Sequence, residues 1–186
     1  MNLITKRVHM NRCNGREVKQ LTLDRDFNVP DARPDALQIM KEQGEVQIEE
    51  VHMMEGKASV KGLLHFQILY ASDGDIPVSE MTGTIPFEET IPLPQAKAED
   101  EISVQAEIGD LKSELINSRK LGMKAIVVLN VTAGSVCDGE GAIDIEGGED
   151  IYTKKRTAEV SYLVFSKKDT LRVRDEWKIP GTKDAM

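Results

Sequence analysis

The chain has 186 residues, of which 40% are hydrophobic and 30% are charged, and its formal net charge is −8. Such a composition is typical of one substantial globular domain and argues against global disorder. The acidic balance disfavours nucleic-acid binding, and the sequence has neither a signal-peptide pattern nor an apolar run of about 18 residues, so no membrane insertion is expected.

Alternation of polar and apolar residues dominates the N-terminal part and predicts β-strands. A first strand is expected over residues 3–10 and a returning strand over 17–23. Between them, Asn14-Gly15 is a strong hairpin-turn signal. These segments therefore predict an N-terminal β-hairpin.

The next segment contains two prolines that interrupt strand pairing, so residues 27–35 are expected to form a structured loop. A short α-helix is predicted over residues 36–43. Asp35 stands near its expected start and Gly44 just past its end, as helix-capping preferences require.

A second hairpin is predicted further along the chain. Residues 45–53 alternate, 55–57 form a turn around a glycine, and 58–70 return. Another strand is expected over 78–91, where Pro86 requires a sheet edge or a bulge.

The middle of the chain predicts a loop over 95–100 and two strand pieces, 102–108 and 113–116, broken at Gly109-Asp110. Residues 121–133 form the longest apolar stretch, and their β-branched side chains favour a central strand.

Residues 134–150 are rich in glycine and acidic residues and are interpreted as a linker or loop. Strand character resumes over 151–165, which includes the basic run 154–156, interpreted as a solvated edge or loop. The predicted fold is mainly β: an antiparallel β-sandwich or barrel-like domain with one short α-helix.

An internal repeat connects the two ends of the chain. Residues 21–30 and 171–180 agree in an alternating apolar pair, a charged triplet, an aromatic residue, an aliphatic residue and a proline, so that Trp177 corresponds to Phe27 and Pro180 to Pro30. Repeated units are typical of modular proteins. We therefore expect one β-rich domain over 1–150, and over 151–186 the opening strands of a second, truncated repeat of a longer protein.

The cysteines and histidines carry no sequence pattern that would indicate catalysis or metal binding. Cys13 and Cys137 stand alone in their segments, which favours free thiols, although the sequence does not decide whether they pair. The three histidines lie in alternating segments without a metalloprotease or serine-hydrolase motif. We expect no catalytic residue, no metal and no cofactor.

The loop after the first hairpin is the best-defined candidate surface. Its candidate interaction residues are Phe27, Pro30, Arg33, Pro34 and Asp35, and the repeat adds Trp177 and Pro180. A purely structural role is the competing and favoured interpretation: Phe27 fills the core, the prolines fix the turn and Asp35 caps the helix.

Four blocks of this sequence together resemble the SPOCS domain of SipL-type spore-coat morphogenetic proteins. They are LDRDFNVPDARPDALQIMKEQGEVQIEE, GKASVKGLLHFQILY, IPFEETI and INSRKLGMKAIVVLNV. The resemblance covers residues 3–133 and resumes over 158–186. It implies a structural module, often accompanied by a C-terminal LysM module to which partnership with the coat ATPase SpoIVA is attributed and which this sequence lacks.

The sequence therefore predicts a non-catalytic scaffold module in the mother-cell cytoplasm, at the forespore surface or spore coat. It would act by contact with other spore-coat proteins or with copies of itself. A peptidoglycan- or cortex-binding module is the alternative, with Trp177, Tyr70, Tyr152 and Tyr162 as the available sugar platforms. A third alternative, a hydrolase, would need a nucleophile and a base brought together by the fold.

Overall fold

Six long β-strands form the part of the chain that the computed structural model describes, residues 2–73 and 76–147, together with single positions at 152, 154, 156, 157 and 159. The strands are β1 (Asn2–Asn28), β2 (Asp35–Met54), β3 (Lys57–Asp73), β4 (Val78–Pro92), β5 (Glu101–Asn117) and β6 (Lys120–Glu146).

The strands form two three-stranded antiparallel sheets, with orders β1-β6-β5 and β2-β3-β4. The sheets pack face to face, with β2 against β5 on one side and only sparse contact between β1 and β4 on the other. A mainly β, sandwich-like fold is thereby confirmed, with β6 as the central strand expected from residues 121–133.

The core lies between the sheets and follows the period-two pattern of the strands. Alternate residues of β3 and β6 point inward, and Leu64, Ile68, Val127 and Leu129 are fully buried. Burial of one such aliphatic side chain contributes about 1.5–3 kcal/mol, so the two central strands supply much of the stability.

Two glycines in the second sheet make room for aromatic rings on neighbouring strands. Gly62 lies opposite Phe87, and Gly83 lies opposite Phe66. A Cβ atom on Gly83 would lie 2.3 Å from Cζ of Phe66, and one on Gly62 would lie 2.5 Å from Cζ of Phe87. Each ring therefore packs over bare backbone, which fixes the register of β3 and β4.

The predicted helix over 36–43 is wrong, because these residues begin strand β2. Register shifts between Ala36 and Gln38 and between Ile39 and Lys41 leave Leu37 and Met40 as extra, exposed residues. Two bulges in succession make the inward positions recur every three residues, which imitates helical spacing. Asp35 accordingly starts a strand and caps no helix.

The predicted hairpin at Asn14-Gly15 is also wrong. β1 runs through this position and pairs along its whole length with β6, with a register shift between Cys13 and Gly15. The Asn-Gly pair therefore marks a bulge inside one long strand. Long-range pairing with β6 replaces the local turn.

The Gly- and acid-rich stretch expected as a linker is strand as far as Glu146. β5 ends its pairing at Gly134, so beyond this point, among the strands that the structure describes, β6 pairs only with the start of β1. Residues 2–13 and 134–146 thus form a two-stranded extension of the sandwich, called the ribbon below. At about 3.3 Å per residue it is about 40 Å long.

Several other expectations are confirmed. The hairpin around Gly56, the strand over 78–91 and the loop over 95–100 are present, and Pro86 lies in β4, an edge strand. The two pieces expected around Gly109 are one strand, β5, with a register shift between Ile108 and Asp110. Of the strand expected over 151–165, the five described positions lie in no strand and the rest fall outside the described residues.

Candidate interaction surfaces

One end of the sandwich is formed by the loop between β1 and β2 together with the turn between β5 and β6. Backbone hydrogen bonds join them: the amide of Val29 donates to the carbonyl of Arg119, and the amide of Ala36 donates to the carbonyl of Ser118, each at 2.8 Å. Pro30 accepts from the amide of Arg33 at 2.9 Å, which closes a tight turn within the loop. The loop is therefore attached along both of its flanks.

The guanidinium of Arg119 holds the loop from within. Its Nη1 donates to the carbonyl of Arg33 at 2.8 Å and to Oδ1 of Asp35 at 3.1 Å, while its Nη2 donates to the carbonyls of Val29 and Pro30, each at 3.1 Å. Nη2 also pairs with the exposed carboxylate of Asp31 at 3.2 Å. The planar fork of arginine suits this set of acceptors, which the single ammonium of lysine could not span.

The predicted loop residues fall into two groups. Phe27 packs its ring edge-on against Phe66, with centroids 4.6 Å apart, while Pro34 accepts a hydrogen bond from the Tyr70 hydroxyl at 3.3 Å and Asp35 accepts from Ser118 at 2.9 Å. Pro30 and Arg33 are exposed. Trp177 and Pro180 lie outside the described residues.

These positions show which loop residues could meet a partner. Phe27 packs against the core, as the structural interpretation expects, whereas Asp35 accepts hydrogen bonds from Ser118 and Arg119 at the start of a strand and does not cap a helix. Pro30 and Arg33 remain accessible, and their role in interaction stays a prediction. The residue that organises the loop, Arg119, carries no local sequence pattern that distinguishes it from other turn residues.

A second polar cluster joins the sandwich to the ribbon. The side-chain amide of Asn14, the bulged residue of β1, donates to Oδ1 and Oδ2 of Asp100 at 3.0 and 2.9 Å and to Oγ of Ser135 at 3.0 Å. Oδ2 of Asp100 also accepts from the backbone amide of Lys97 at 2.9 Å. The cluster thus connects β1, the β4–β5 loop and β6.

Hydrogen bonding to this carboxylate stabilises its charged form. The amide of Lys97 contributes most and the side chain of Asn14 next, and together they hold the pKa of Asp100 below its ordinary value of 3.8. Asp100 is therefore an ionised, nearly buried acceptor at the base of the ribbon. Its short-range role is to fix the bulge that redirects β1.

The side of the sandwich between β1 and β4 holds a groove of about 410 Å³. It is lined by residues 19–23 of β1 and 86–89 of β4. An ion pair between Nζ of Lys19 and Oε1 of Glu89, 3.0 Å apart, connects the two strands across the groove. Both strands are the outer strands of their sheets, so in the described part of the chain their second edges pair with no strand. Backbone donors and acceptors on such an edge are available to an added strand.

The exposed face of the β2-β3-β4 sheet carries a shallow polar groove of about 490 Å³. Its walls include Glu45, His65, Gln67 and Thr84. These side chains offer hydrogen-bond donors and acceptors on a flat surface. Tyr70, one of the expected sugar platforms, is fully buried instead, while Tyr152 is exposed.

On the same face Nε2 of His52 donates to Oε1 of Glu50 at 2.7 Å, and Nζ of Lys61 lies 3.6 Å from Oε2 of that carboxylate. Contact with His52, more than with Lys61, lowers the pKa of Glu50 below its ordinary value of 4.5. His65 contacts Gln47 at 3.2 Å, and His9 pairs with Asp138. The three histidines thus lie on three different strands, each beside a carboxylate or an amide.

Both cysteines are free thiols and lie in the ribbon, where Cys137 is opposite Met10 and Cys13 is opposite Gly134. Among the residues that the structure describes, no three His, Cys, Asp or Glu side chains are grouped as metal ligands. The described residues also contain no helix that could cross a membrane.

The fold and these surfaces together define an all-β sandwich whose accessible features are strand edges, a long ribbon and a structured loop. Residues 35–116 match the family model described as SipL, SPOCS domain, and the SPOCS resemblance is thereby confirmed for this segment. The match spans β2 to β5 and a little under half of the chain. No curated protein and no solved structure matches the chain.

Proposed function

We propose that this chain is a non-catalytic structural module of a spore-coat morphogenetic or assembly protein, acting by protein–protein contact that includes self-association. The observation that carries the proposal is the pair of strand edges, β1 and β4, that flank one groove in a domain matching the SPOCS model. Partners are other spore-coat proteins. Its place of action is the mother-cell cytoplasm, at the forespore surface.

The chemistry of the groove is suited to an extended peptide. Leu21 and Phe87 are nearly buried in its floor, and Lys19, Glu88 and Glu89 provide charge at its rim. An added strand would gain main-chain hydrogen bonds from an edge and side-chain specificity from the floor and rim. Pro86 removes a donor from the β4 edge, so the β1 edge is the better acceptor of a strand.

The proposal is tested by the position of a fluorescent fusion of the whole chain in sporulating cells. We expect a ring at the forespore surface, which Lys19→Glu weakens because it places a like charge beside Glu89. Lys112→Glu is the matched control, since Lys112 pairs with Asp110 at 3.0 Å on β5, away from the groove. Diffuse fluorescence of the unaltered chain throughout the mother cell would contradict the proposal.

A peptidoglycan- or cortex-binding module is the second candidate, and the polar groove on the outer face favours it. Sugars are bound by hydrogen-bonding side chains beside aromatic platforms. Among the described residues, this groove has hydrogen-bonding side chains but no exposed aromatic ring, since Phe66 beneath it is buried. Co-sedimentation with purified peptidoglycan that Gln67→Ala abolishes would favour this function over the scaffold.

A further inference from the structure

The two strands of the ribbon carry opposite charges. On β1, residues 2–13 include Lys6, Arg7 and Arg12 and no acidic residue. On β6, residues 134–146 include four acidic residues and no lysine or arginine, namely Asp138, Glu140, Asp144 and Glu146. The ribbon therefore has one basic strand and one acidic strand along about 40 Å.

Only part of this charge is used within the molecule. Arg7 pairs with Asp138 at 3.2 Å, and His9 pairs with the same carboxylate. Within the described part of the chain, Lys6 and Arg12 on one strand, and Glu140 and Glu146 on the other, form no ion pair. Opposite charges thus remain outside ion pairs on the two strands of the ribbon.

The ribbon also exposes apolar side chains. Leu3 is 56% exposed, Val136 is 56% exposed and Ile143 is 52% exposed. At the start of the ribbon the loop before β5 places Leu93 against Gly15. Among the described residues, residues 2–13 pair only with β6. A two-stranded sheet in water is marginally stable by itself, and added contacts stabilise it.

We infer that the ribbon is a self-association surface whose partner is the ribbon of a second copy, with β1 of one copy lying along β6 of the other. Like strands repel, since β1 against β1 joins basic residues and β6 against β6 joins acidic ones. Charge therefore selects the β1-to-β6 arrangement and rejects the other two. The inference rests on the proposed function and deepens it by naming the partner as a second copy.

A charge-swap experiment on the full chain tests the inference. Lys6→Glu with Arg12→Glu leaves Arg7 beside two acidic residues on β1, so that both strands are acidic. Glu140→Lys with Glu146→Lys balances Asp138 and Asp144, so that β6 loses its net acidic charge. Each double variant should self-associate at least about tenfold more weakly than the unaltered chain, because the β1-to-β6 arrangement joins like charges in the first variant and loses its charge attraction in the second. An equimolar mixture of the two should associate again, as measured by sedimentation equilibrium or light scattering.

The matched control is Lys41→Glu with Lys57→Glu, two exposed residues of the second sheet that also reverse two positive charges. It should leave self-association unchanged. Should either ribbon variant fail to show the unfolding transition of the unaltered chain, Glu140→Gln with Glu146→Gln replaces it, and a smaller weakening is expected. Raised salt should weaken the association of the unaltered chain through screening.

Each outcome decides the matter. A monomeric unaltered chain, or a mixture of the two variants that stays monomeric, overturns the inference. Variants that associate as strongly as the unaltered chain place self-association on another surface, which overturns the inference and leaves the proposed function standing. A chain that associates as expected but does not reach the forespore contradicts the proposed function alone.

Discussion

The sandwich body and the ribbon are built from the same two strands, β1 and β6, and differ in what covers them. In the body, the second sheet buries the inward residues of β6 from Leu121 to Ala133. In the ribbon, the same strand continues from Gly134 to Glu146 with partly and fully exposed residues. The ribbon is thus held by pairing between β1 and β6, whereas the body is also stabilised by packing between its two sheets.

The largest contrast is expected from truncating an apolar side chain in each region. Leu129→Ala removes a fully buried side chain of the central strand and should lower the free energy of unfolding by about 2–5 kcal/mol. Leu3→Ala, in the ribbon, should change it by less than about 0.5 kcal/mol. Chemical denaturation of both variants measures the difference, and equal losses would show that the ribbon is part of the core.

A smaller contrast is expected from filling a glycine position in each region. Gly83→Ala brings a Cβ atom against the ring of Phe66 and should cost about 1–3 kcal/mol through overpacking. Gly141→Ala meets no atom of the described residues within 4 Å and should cost nothing measurable or stabilise the strand slightly. Thermal unfolding of the two variants gives the comparison. A tolerated Gly83→Ala would be inconsistent with the packing of Phe66.

The loop end of the body depends on one side chain, so Arg119 offers a further test. Arg119→Ala removes the side-chain donor to the carbonyls of Val29 and Arg33 and one of the two donors to the carbonyl of Pro30, and it should destabilise the chain by about 1–2 kcal/mol, since the side chain is partly exposed. Arg119→Lys should recover only part of this loss. Arg16→Ala, at an exposed position of β1, is the control expected to be neutral.

The joint between the two regions should respond to acid. Because the folded pKa of Asp100 lies below its ordinary value of 3.8, its stabilising contribution is fully present above that value. This contribution to the free energy of unfolding is lost as the pH falls through the lower folded pKa, because protonation neutralises the Asp100 carboxylate that accepts the hydrogen bonds. Asp100→Asn should flatten this acid limb in a series of unfolding experiments from about pH 6 to about pH 2. An unchanged acid limb would show that ionised Asp100 does not stabilise the connection between the sandwich body and the ribbon.

The architecture was predictable from the sequence where strand signals are long and continuous. Residues 58–70 alternate over most of their length, residues 121–133 are a long apolar stretch rich in β-branched side chains, and the two segments form the central strands. The SPOCS resemblance added to this pattern, and its confirmed match covers residues 35–116. These parts follow from local side-chain patterns that a single strand carries by itself.

The errors share one physical cause, which is long-range pairing that overrides a local signal. Bulges at Leu37 and Met40 imitate helical spacing, and the Asn-Gly pair at 14–15 forms a bulge because β6 lies alongside β1. The glycines of 134–146 indicate a linker until their partner strand is known. Arg119 and Asp100 act through contacts between segments distant in the sequence, which no local pattern reveals.

Amide hydrogen exchange of the full chain at two protein concentrations tests the central claim most directly, because it reports on the body and the ribbon in one sample. We predict slow exchange in β3 and in residues 121–133 at both concentrations, and ribbon amides that become protected only at the higher one. Ribbon amides that exchange equally fast at both concentrations, or that are fully protected in the dilute monomer, would contradict the claim that the ribbon binds the ribbon of a second copy.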